Sequence, residues 1–83
     1  MNVTGEVEFT GRIQALTLPA VNAHPTFKVQ VVSDDDLVEL VFVGHRHLPG
    51  FRVGRNLTAR GKLLRSTRQV MYNPIYWLKA DDL

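Results

Sequence analysis

Between Val7 and Leu78 the chain is a series of short runs, most alternating apolar and polar side chains with a period of two, separated by turn-rich stretches, and no segment reads as a helix of credible length. "VEFTGRIQAL" (7–16) puts Val7, Phe9, Gly11, Ile13 and Ala15 on one side and Glu8, Thr10, Arg12 and Gln14 on the other, the pattern of a half-buried strand. Gly11 within that row predicts a bend or bulge. After the loop "TLPAVNAHP", "TFKVQVV" (26–32) turns Phe27, Val29 and Val31 inward and Lys28 and Gln30 outward. "SDDD" (33–36) has the short polar side chains that close a turn, so "LVELVFV" (37–43) returns as a hairpin, with Val38, Leu40 and Phe42 on one face and Leu37, Glu39, Val41 and Val43 on the other. "GHRHLPGFRVGR" (44–55) is too rich in glycine and proline for more than one helical turn. "LTARGKLLR" (57–65) alternates again, "STRQ" (66–69) turns, and "VMYNPIYWL" (70–78) makes the last strand.

Five strands and no long helix in 83 residues describe one all-β domain spanning 1–83, with a short acidic tail at 80–83. A chain this small sits near the lower limit for a fold held by one apolar core. Rolling the strands into a closed barrel removes the exposed edges that an open sheet of this size would present. The long first strand with its mid-strand glycine and the special connection between strands three and four favour a five-stranded OB-fold (Greek-key) barrel over an SH3-like one.

The chain contains no cysteine, which excludes a disulfide framework and thiolate metal sites and suits a reducing compartment. The opening "MNVTGEVEFTGR" lacks a basic leader followed by an apolar run, and no stretch approaches the roughly 20 apolar residues of a membrane span. A cytoplasmic protein without membrane contact is expected. Charge is distributed unevenly. Residues 1–43 hold two basic side chains against six acidic ones, whereas residues 44–79 hold eight basic ones and no acid. Such a segment attracts polyanions if the fold gathers its cations on one side.

Three stretches, "FTGRI" (9–13), "LVELVFVGHRHLPGFRVGR" (37–55) and "MYNPIYWL" (71–78), together resemble small actinobacterial OB-fold nucleic-acid-binding proteins. They are also similar to the OB-type wedge domain of RecG-type helicases, where an apolar strand, a glycine before an l-x-x-G-x-x-v run and a closing m-x-x-P-x-Y recur. The likeness runs from Phe9 to Leu78, and its most specific parts are the connection 44–50 and Asn73-Pro74-x-Tyr76. It implies a nucleic-acid partner, with single-stranded or branched DNA favoured and RNA the second candidate. No motor accompanies it, so DNA remodelling is not implied.

OB barrels bind oligonucleotides across strands two and three, between the loop after strand one and the loop joining strands four and five. Here those loops are Thr17 to Pro25 and Arg65 to Gln69. Single-strand binding needs cations along the backbone path and flat rings on which bases stack. The candidate cations are Arg12, Lys28, Arg46, Arg60, Lys62, Arg65 and Arg68, and the candidate rings are Tyr72 and Trp77. Tyr76 and Trp77 are neighbours on a strand and face opposite ways, so Tyr76 is expected to close the barrel end and Trp77 to be the more exposed. "HRH" (45–47) lacks the cysteine or carboxylate partners of a metal site, and "SDDD" lacks the ligand spacing of a calcium loop. No catalytic triad, carboxylate pair or phosphate-cradling loop can be read from spacing. A non-catalytic protein without metal or cofactor is the expectation. The alternative is an assembly module that pairs with a protein partner, or with itself, through an apolar outer row of Leu37, Val41 and Val43.

Overall fold

A computed structural model describes residues 2–80, with side chains from residue 5 onward, and the Asp81-Asp82-Leu83 end of the predicted acidic tail lies outside it. The described residues form strands β1 (Asn2–Thr17), β2 (Thr26–Ser33), β3 (Asp36–Val43), β4 (Asn56–Arg65), β5 (Gln69–Tyr72) and β6 (Ile75–Leu78), with no helix among them. The sheet runs β1-β2-β3-β5-β4 and closes through a long antiparallel β1–β4 pairing. β3 and β5 are the parallel pair. This is the five-stranded mixed barrel of an OB-fold.

The predicted fifth strand is present in two pieces. From Arg60 to Leu64 β4 takes four steps, while its partners from Val70 to Ile75 take five, so one residue is extra where Asn73 and Pro74 interrupt the ladder. Asn73 has a φ of 50°, a left-handed conformation that asparagine tolerates better than most residues. Its backbone N–H donates to Val41 O at 2.8 Å and its side-chain Oδ1 accepts from Val43 N–H at 2.8 Å. The side chain thus supplies a ladder bond that the kinked backbone cannot.

β1 belongs to both sides of the barrel. It pairs with β4 through Arg12 and with β2 from Arg12 onward. At this corner Gly11 lies so close to β2 that an added Cβ would collide with Val32 O and come within 2.9 Å of Val31 Cγ1. The expected irregularity falls three residues further on: the register shifts between Ile13 and Ala15. The extra residue reverses the alternation, so Leu16, rather than the predicted Ala15, packs against the core.

Fully buried Ile13, Phe27, Val29, Val31, Leu40, Leu57 and Met71 fill the barrel. The connection 44–55 is irregular because Gly44, Gly50 and Gly54 all adopt positive φ, 92°, 85° and 95°. It serves as a plug. Phe51 stands edge-on to Phe27, Phe42 and Tyr76 with centroids 5.7, 5.6 and 4.8 Å away. Such contacts stabilise beyond burial alone. Tyr76 therefore closes the barrel end, as its strand position predicts.

Candidate nucleic-acid interface

Register and alternation divide the barrel's exterior into two faces. On the front, formed by β2, β3 and β5, the outward side chains fall into cross-strand rows. One row is Lys28, Val41 and Tyr72, and the next is Gln30, Glu39 and Val70. On the back, formed by the first part of β1 with β4 and β6, the rows are Glu6 with Lys62, Glu8 with Arg60 and Ile75, and Thr10 with Thr58 and Trp77.

The seven candidate cations do not converge, which corrects the expectation drawn from the charge distribution along the chain. Arg60 reaches Glu6 at 3.2 Å and Lys62 stands opposite the same glutamate in the ladder. The acid-free segment is long in sequence only, because β1 lays its carboxylates beside β4 when the barrel closes. Arg46 donates from Nη1 to Ala20 O at 3.4 Å and from Nη2 to Ala23 O at 3.3 Å, tying the β3–β4 connection to the β1–β2 loop. Arg12 sits at the seam, in register with Val32 on one side and Asn56 on the other. On the front remain Lys28, half-buried in its row, and Arg68, whose Nη1 is 3.8 Å from Glu39 Oε1. Arg65 is exposed where β4 runs into the loop 66–68 at the same edge.

The two candidate rings part company as well. Tyr72 is 56% exposed on the front beside Val41, and Trp77 is 50% exposed on the back beside Thr58. The apolar outer row proposed for β3 is also discontinuous. Leu37 and Val43 are exposed, but Val41 between them is buried, only 5% accessible, in the row between Lys28 and Tyr72.

Where the front meets the loop 66–68, Gln30, Leu37, Glu39, Ser66, Thr67, Arg68 and Gln69 line a depression of about 260 Å³. Gln69 Nε2 donates to Leu37 O at 3.3 Å and fixes its rim. Gln30 and Glu39 were not among the residues singled out by sequence, since an outward glutamate in a strand ordinarily signals only solvent. The usable signal was its place in the row beside Gln30, opposite the turn "STRQ".

Compared with known proteins, the chain matches no family model and has no significant match among curated proteins or solved structures.

Proposed function

We propose that the protein is a non-catalytic OB-fold module that binds single-stranded or branched nucleic acid, DNA in the first instance, across its front face. The observation that carries this reading is Tyr72, an exposed ring in one row with Lys28, on a face bordered by Arg65 and Arg68. Strands two and three with the loop between strands four and five form the surface on which OB barrels take oligonucleotides. Base stacking on an aromatic ring contributes about 1–3 kcal/mol and tolerates any base, while cations along the path neutralise phosphates. The resemblance to actinobacterial OB-fold proteins and to the RecG-type wedge supports the same class of partner. In this reading Arg60, Lys62 and Trp77 take no part in the front site, and Arg46 acts by holding the loop that borders it.

The number of front cations sets the salt dependence. Lys28, Arg65 and Arg68 contacting about three phosphates give a slope of about −2 in log affinity against log salt for a single strand. Titrating a fluorescent mixed-sequence single strand at several salt concentrations measures it. Arg65→Ala with Arg68→Ala should flatten the slope to about −0.7 with the fold unchanged. Absence of binding at low salt would sink the proposal.

A further inference from the structure

Glu39 is an unexpected residue for the middle of a phosphate-binding face. Its side chain is only 12% exposed, yet its charged partner Arg68 stands 3.8 Å away, beyond the about 2.7–2.9 Å of a charge-assisted hydrogen bond. Among the described residues no hydrogen-bond donor is engaged with its carboxylate. A carboxylate whose oxygens open into a depression gains from donors that reach it, and it can accept two in parallel. The depression around it is smaller than the about 300 Å³ at which drug-sized pockets begin, which suits one flat ring rather than a larger ligand. Leu37, 42% exposed, offers that ring an apolar wall.

We propose that this depression reads one guanine of a bound single strand, Glu39 accepting from guanine N1–H and N2–H while one of the five N–H groups of Arg68 donates to O6 and the others remain for the phosphate; the proposal rests on the nucleic-acid reading above. The choice of base follows from donor count. Single-stranded bases are read on their Watson–Crick edges, and only guanine presents two adjacent donors with an acceptor beside them. Adenine and cytosine offer one exocyclic amine next to a ring acceptor that a carboxylate repels. Thymine offers one imide N–H between two carbonyls, so it fits worst. Tyr72 lies one row further along the strands and takes the neighbouring base by stacking, which leaves the specificity to Glu39.

The test uses short labelled oligothymidylates that differ only in one central base, titrated by fluorescence anisotropy. The guanine strand should bind about tenfold more tightly than the all-thymine strand, the range of one bidentate contact. Hypoxanthine, which lacks the N2 amine, should keep about threefold of that preference. Glu39→Gln, nearly isosteric, should abolish the guanine preference while leaving binding to the all-thymine strand equal or tighter, since a negative charge leaves the face. Equal affinity for strands with guanine, adenine, cytosine or thymine at the central position, or a guanine preference that survives Glu39→Gln, overturns the base reading. In that case a normal salt slope shows that the nucleic-acid function itself stands. No binding by any strand overturns both.

Discussion

The front and back faces are built from the same alternation, yet they differ in how charge is answered. On the back, Arg60 and Lys62 face Glu6 and Glu8 across the β1–β4 ladder, and Thr10 and Thr58 share a hydrogen bond of 2.8 Å between their hydroxyls. On the front, Lys28 and Tyr72 flank a buried valine, and the one carboxylate in the central row has a distant partner. A polar surface whose groups satisfy one another has little to offer a ligand. One whose groups are left with spare capacity does.

The largest expected effect comes from breaking the corner that joins the two faces. Gly11→Val forces a side chain into the β2 backbone and should destabilise the fold by about 3 kcal/mol, as overpacking of a tight site does. Urea unfolding measures it against Gly5→Ala, where an added Cβ meets nothing within 4 Å and the change should stay within about 0.5 kcal/mol. Next in size is the contrast between the rings. Tyr72→Ala should weaken single-strand binding by about 1–3 kcal/mol, the value of one stack, whereas Trp77→Ala on the back should leave affinity within about twofold. If Trp77→Ala proves the more damaging in an anisotropy titration, the faces have been assigned the wrong way round.

Smaller effects sharpen the comparison of charges. Lys28→Ala should flatten the salt slope by about 0.7, one phosphate's share for a single strand, and Arg60→Ala should leave it unchanged. The smallest effect is on the fold itself. Arg60 and Glu6 are both about half exposed, so removing their ion pair should lower stability by no more than about 0.5 kcal/mol in thermal or urea melts.

Much of the barrel was legible because its information is local. The inward rows Phe27, Val29, Val31 and Val38, Leu40, Phe42 follow from a period of two, and the two-residue turn at Asp34 and Asp35 from short polar side chains, with Asp34 at a φ of 52°. Less was legible where one residue shifts the phase. The bulge after Ile13 that brings Leu16 to the core depends on how sharply β1 must bend around β2, and no residue type announces it. The role of Phe51 was hidden in the same way, inside a connection whose glycines read only as an interruption.

The candidate site divides along the same line. Sequence alone determined that Lys28 points outward from its strand, that Arg65 and Arg68 border a turn, and that Tyr76 and Trp77 face opposite ways, because each depends on the pattern within a single segment. Only the tertiary structure decided which charges meet. Closure sets Glu6 and Glu8 against Arg60 and Lys62, residues more than fifty positions apart, and strand pairing sets Tyr72 beside Val41 of β3 and Trp77 beside Thr58 of β4. Coulomb energy depends on distance in space, and strand pairing fixes that distance independently of separation along the chain.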